Sequence, residues 1–125
     1  KKYFDKGDPY HCYCHKTSRL IKEKFNKDIP ILTTFQSRFG PQEWLKPYMA
    51  EKMEELLGKS KNLVIMAPGF SVDCLETLEE IKMEGKEEFL DMGGETFNYI
   101  ECLNDSEIAI DMYKKIILRE LQGWI

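Results

Sequence analysis

The sequence predicts an α/β domain in three layers, a parallel sheet flanked by helices. Two observations carry that expectation. Short runs rich in β-branched and aromatic residues occur three times in the 125 residues, each bounded by turn-forming residues. Helical patterning lies between and around them, and strands that alternate with helices form βαβ units with parallel pairing.

In chain order, KKYFDKGDPY opens in turn-like material, and a helix is predicted over roughly 11–26, beginning after Asp8-Pro9. The first strand is ILTTFQ at 31–36, followed by a helix at 46–58. The second strand is NLVIMA at 62–67, with a helix at 73–91 after it. The third strand is TFNYIE at 96–101, and a last helix covers 106–121. Three strands make a thin sheet where about five are usual. Together with the turn-like start, this leads us to expect a first strand before Lys1.

Composition narrows the function classes. The chain is 42% hydrophobic and 32% charged with a net charge of −4, the profile of a globular domain able to bury a core. It has no basic run or excess to neutralise phosphates, so nucleic acid is not an expected partner. No apolar stretch is long enough to span a bilayer. Four cysteines, unevenly spaced at 12, 14, 74 and 102, do not form a disulfide framework, which fits a reducing, cytoplasmic setting.

In an open parallel sheet, ligands bind beyond the carboxyl ends of the strands. The three predicted strands run there into QSRFGPQEWLKPY, PGFSVDCLE and CLNDS. Gln36, Ser37 and Arg38 offer hydrogen-bond donors suited to a carboxylate, and Phe39, Trp44, Leu45 and Tyr48 offer flat apolar surface. Asp73 and Glu76 add negative charge. A large, flat, partly anionic ligand beside a cation suits this set.

The acids also have a plainer explanation. Asp73-x-x-Glu76 has capping-box spacing. On an α-helix Asp73, Glu76, Glu80, Glu84 and Glu87 form one stripe opposite Leu75, Leu78, Ile81, Phe89 and Met92, which is the pattern of a solvated face. Spacing alone leaves both explanations open. The Trp44 segment is equally a loop packed on its own domain or a binding lip. HCYCH at 11–15 sets two histidines on one helix face, but it lacks zinc-knuckle spacing and a second ligand pair, and is read as the first turns of a helix. Phosphate-binding glycine motifs are absent.

TFQSRFGPQEWLKPY, PGFSVDCLETLEEI, GDPY and YIECLND together resemble ferrochelatase of the bacterial type, in order and spacing across essentially the whole chain. The resemblance implies a chelatase-like fold of two lobes around a porphyrin cleft, with residues 1–125 as the C-terminal lobe. It implies insertion of ferrous iron into protoporphyrin IX to give protoheme, the last step of heme synthesis. Iron is then a substrate, with no tightly bound cofactor and no iron–sulfur cluster. By the same resemblance, Glu76 matches the active-site glutamate and Asp73 the aspartate before it, both expected to be catalytic, while Glu76, Glu80 and Glu84 are the expected metal contacts, the last two matching acids one and two turns on that lead metal in or protons out. Gln36, Ser37, Arg38 and Trp44 match porphyrin-lining positions. Cys74 stands where some members carry histidine. The family's catalytic histidine falls before Lys1, and neither His11 nor His15 takes its place, so these residues alone are expected to be inactive. The alternatives are a chelatase for coproporphyrin or cobalt, and a non-catalytic tetrapyrrole-binding module. Peripheral membrane contact through Phe39, Trp44, Leu45 and Met49 is compatible with the sequence, and the oligomeric state is not specified by it.

Overall fold

The computed structural model describes residues 4–25, 29–36 and 43–124. A 3-10 turn at Phe4–Lys6 leads to α1 (Tyr10–Lys22), and then come α2 (Met49–Leu57) and β1 (Asn62–Met66). A π-helix (Glu76–Gly85) runs directly into α3 (Lys86–Asp91), and β2 (Thr96–Ile100) and α4 (Glu107–Glu120) complete the order. The class is α/β, as the alternation of patterns predicts.

Local chemistry explains the element ends. Asp8 Oδ1 accepts the Tyr10 backbone N–H at 2.9 Å, satisfying one of the free donors where α1 begins. Ser106 does the same for α4 by accepting from the Ala109 N–H. At the end of α3, Gly94 N–H bonds the Phe89 carbonyl and Gly93 N–H bonds that of Leu90, with Gly93 at φ +100°. This is a Schellman closure, which needs a residue without Cβ at the left-handed position.

β1 and β2 pair in parallel, with Asn62 opposite Thr96 and Met66 opposite Ile100. The alternation of side chains gives the sheet two unlike faces. On one, Leu63, Ile65 and Tyr99 pack around the buried cluster of Met53, Ile81, Phe89 and Phe97, so α2, the π-helix and α3 share one core with the sheet. On the other, Val64, Met66 and Ile100 remain exposed.

Two sequence expectations are corrected. The run at 31–36 is not a strand of this sheet. Among the described residues its one ladder contact is an isolated parallel bridge between Phe35 and Tyr48, and cavities of about 470 and 530 Å³ lie between it and β1. β-branched composition favours extension, but a strand also needs a neighbour at hydrogen-bonding distance, and among the described residues this run has none in the sheet.

The helix predicted over 73–91 begins later, and most of it is wound as a π-helix, with hydrogen bonds spanning five residues instead of four. Its buried positions are Thr77, Ile81 and Gly85, continued by Phe89. Leu75, Leu78 and Met92, expected inside, are exposed. Each of Glu76, Glu80 and Glu84 immediately precedes a buried residue. The acids therefore stand at the shoulder of the packed face rather than diametrically across from it.

A Cβ at Gly94 would lie 2.3 Å from Phe89 Cε1 and 2.7 Å from the Phe89 carbonyl oxygen. Phe89 is fully buried, so neither atom can move away. We expect Gly94→Ala to destabilise by about 1–3 kcal/mol through overpacking, read as a lower urea midpoint of the full-length protein. An unchanged midpoint would show that the α3–β2 turn can relax.

Candidate functional site

Of the three segments predicted to meet beyond the strand ends, those after β1 and β2 meet through one carboxylate, and the first reaches them through Gln36. Asp73 lies in the loop that follows β1. Its Oδ1 accepts from the Tyr99 hydroxyl at 2.8 Å and the Thr77 hydroxyl at 2.9 Å. Its Oδ2 accepts from the Cys102 N–H at 3.2 Å and from the Asn104 amide at 2.8 Å. The Asp73 N–H returns a bond to Asn104 Oδ1 at 2.8 Å. Asn104 holds φ +50°, a conformation that asparagine tolerates better than most residues.

This geometry replaces the capping box expected from Asp73-x-x-Glu76. The Asp73 N–H goes to Asn104, and the π-helix carries no side-chain cap bond at its start. Burial raises the Asp73 pKa, but the bonds from Asn104, Tyr99, Thr77 and Cys102 outweigh it and hold the carboxyl well below the usual aspartate range. Burial also pushes the Cys102 thiol up, which keeps it protonated at neutral pH. Tyr99, Cys102, Thr77 and Asn104 are hydrogen-bond partners of Asp73 that pattern reading does not single out. The only sequence signal was that CLNDS falls at a strand end.

Asp73 thus pins the start of the π-helix, and the acids project beyond it. Glu76 is exposed. Its pKa is lowered by hydrogen bonds from the Cys74 thiol and from its own backbone N–H, so it is ionised at neutral pH. A four-residue step is slightly more than one α-turn and slightly less than one π-turn. Glu76, Glu80 and Glu84 therefore occupy successive turns on one exposed flank. Among the described residues no three His, Cys, Asp or Glu side chains converge to cage a metal ion. The acids form a row.

Gln36, at the end of the run at 31–36, reaches this helix. Its side-chain amide donates to the Glu76 carbonyl at 2.9 Å and to Glu80 Oε2 at 3.4 Å. Among the described residues its Oε1 is buried without a hydrogen-bond partner, a costly arrangement unless a ligand or further group supplies a donor. Trp44 is half-buried, and its backbone N–H donates to the Tyr48 hydroxyl at 3.3 Å. Gln36 and Trp44 share the lining of the 470 Å³ cavity with Phe35, Phe70 and Ile81. Ser37 and Arg38 lie outside the described residues, as does Phe39. The structure therefore brings Gln36, Glu76 and Glu80 together, keeps Trp44 beside Gln36 along one cavity, and places Glu84 further along the row.

A sequence model of the ferrochelatase family matches residues 1–121. The chain belongs to the ferrochelatase family. It is 52% identical over 124 residues to the ferrochelatase of Francisella tularensis subsp. novicida (strain U112), and equally to those of subsp. holarctica (strain LVS) and subsp. tularensis (strain SCHU S4 / Schu 4). In each case the match takes in 97% of this chain and 37% of the relative. The chain thus spans a little over a third of the length of these ferrochelatases. Among the described residues, no helix is long and apolar enough to cross a membrane.

Proposed function

We propose that the full-length protein inserts ferrous iron into protoporphyrin IX and that residues 1–125 contribute the metal-handling side of the cleft. The observation that supports this most is the row of Glu76, Glu80 and Glu84 held at its inner end by Gln36 and Asp73. Insertion replaces two pyrrole protons by Fe²⁺, so a site must bring one dication in and take two protons out. Carboxylates serve both tasks, because oxygen ligands bind a divalent cation loosely enough to release it and also accept protons. A row of acids without a closed cage suits transfer better than storage.

In this reading Glu76 acts at the macrocycle, and Glu80 and Glu84 relay cation or protons along the flank. Asp73 is a positioning residue. Its lone pairs are committed to four donors, so it carries no proton in the reaction and instead fixes where Glu76 begins. Gln36 and Trp44 line the porphyrin side, with Gln36 Oε1 oriented by the same amide that holds the π-helix. Ser37 and Arg38 are proposed porphyrin contacts on family resemblance alone.

The direct test is zinc insertion into a dicarboxylate porphyrin by the full-length protein, followed by absorbance. Insertion supports the chelatase, whereas porphyrin bound without insertion would return the chain to a binding module. Comparing protoporphyrin with coproporphyrin settles the tetrapyrrole. We also expect Trp44→Ala to weaken porphyrin affinity roughly tenfold, about the 1.4 kcal/mol that a lost aromatic contact contributes. Fluorescence quenching by the bound porphyrin gives the affinity. Unchanged binding would assign Trp44 to loop packing through Tyr48.

A further inference from the structure

The helix α1 carries a feature that the acid row does not use. His11 and His15 sit four residues apart on one face, and their Nε2 atoms approach to 3.2 Å. His11 stacks on Phe35 with ring centroids 5.5 Å apart and planes 19° apart, and His15 meets the same ring edge-on at 6.3 Å. Phe35 is itself a fixed platform. It is 7% exposed, and its backbone bonds Pro47 at 2.9 Å and Met49 at 3.0 Å on either side. Both imidazoles are thereby held with the same nitrogen turned inward toward the other.

We propose that His11 and His15 form a two-imidazole site for a divalent first-row transition metal of the zinc or nickel kind. Metal–imidazole bonds are about 2.0–2.1 Å, so two nitrogens on one metal lie about 2.9 Å apart at a right angle and about 3.3 Å apart at a tetrahedral angle. The observed 3.2 Å falls inside that span. Two histidines four apart on a helix are a known way of presenting such a pair. Without metal, one Nε2–H donates a hydrogen bond to the other Nε2; ligation through both Nε2 atoms requires the donating ring to carry its proton on Nδ1 instead.

Burial, then His11 and then Arg19 lower the His15 pKa. Arg19 also opposes a dication, and no third His, Cys, Asp or Glu joins the pair among the described residues. Two protein ligands leave the remaining positions to water, which makes this an exchangeable site. Phe35 is the chain neighbour of Gln36, so the pair stands beside the segment that contacts the acid row. The proposal rests on the imidazole geometry and stands whether or not the protein is a chelatase.

The test is imidazole ¹⁵N NMR of the full-length protein labelled at histidine, titrated with zinc chloride alone. Signals absent from His11→Ala and from His15→Ala identify the two rings. We expect both to shift with added zinc in the wild type and in Glu76→Gln, and the surviving ring to lose its response in each single variant, since chelation requires both. Signals unmoved in the wild type, or a survivor responding as before, would overturn the site. His11→Gln and His15→Gln serve in the same way should an alanine variant fail to fold.

Discussion

Glu76→Gln in the full-length protein is expected to abolish metal insertion while leaving the fold and porphyrin binding in place. Glutamine keeps the size and can still accept the hydrogen bonds that Glu76 receives from the Cys74 thiol and its own N–H. The side chain is exposed, so no packing is lost. What disappears is the negative charge and the proton-accepting oxygen, and losing a positioned acid–base group costs about 10²–10⁴ in rate. Zinc insertion measured beside porphyrin affinity separates the two effects. Normal turnover would remove Glu76 from the chemistry. Glu84 lies two turns along the row from Glu76, so its glutamine variant should slow delivery and raise the zinc concentration needed, with a smaller effect at saturating metal.

The second large effect is on stability. Asp73→Asn replaces an acceptor-only group with one whose amide must face two of the four donors. The Cys102 N–H and the Asn104 amide cannot reverse, whereas the Tyr99 and Thr77 hydroxyls can rotate. The variant therefore keeps some bonds but loses the charge that strengthens them. We expect a loss of about 2 kcal/mol, within the range for a hydrogen bond to a charged group, seen as a lower urea midpoint. The pH dependence gives a sharper signature. The folded pKa of Asp73 lies below its unfolded value near 3.8. Its contribution is thus fully present above that value and drains away as the pH falls toward the folded pKa. Wild type should lose stability between about pH 4 and pH 2 more steeply than Asp73→Asn. Parallel curves would mean that Asp73 is not the group the fold depends on in acid.

These two residues also show what the sequence could and could not reveal. Alternating patterns located β1, β2 and the helices, because composition and periodicity are local properties of the chain. The convergence of three segments beyond the strand ends followed from the geometry of a parallel sheet, and the bonds Asp73–Asn104 and Gln36–Glu76 realise it. The run at 31–36 reads as a strand from its composition, but its place outside the sheet depends on what lies beside it. The donors to Asp73 at Tyr99, Cys102 and Asn104 come from 26 to 31 residues away, and no local pattern encodes such a meeting. Nor does any local pattern separate π from α winding. A four-residue recurrence suits both, and the exposure of Leu75 and Leu78 reports the difference only in three dimensions.

The π-helix has a further consequence. It is tethered at one end by the Asp73 cluster and at the other by Gly85, where an added Cβ would come within 3.2 Å of the Glu80 carbonyl and 3.4 Å of Met49 Cε, and by the buried ring of Phe89. With both ends moored, the turns between them behave like a spring of fixed span, and that span fixes the number of residues per turn. Rewinding those ten residues to the tighter α pitch would lengthen the coil and turn Glu80 and Glu84 out of phase with Gln36. The moorings thus set the angular timing of the whole row, though neither one belongs to it.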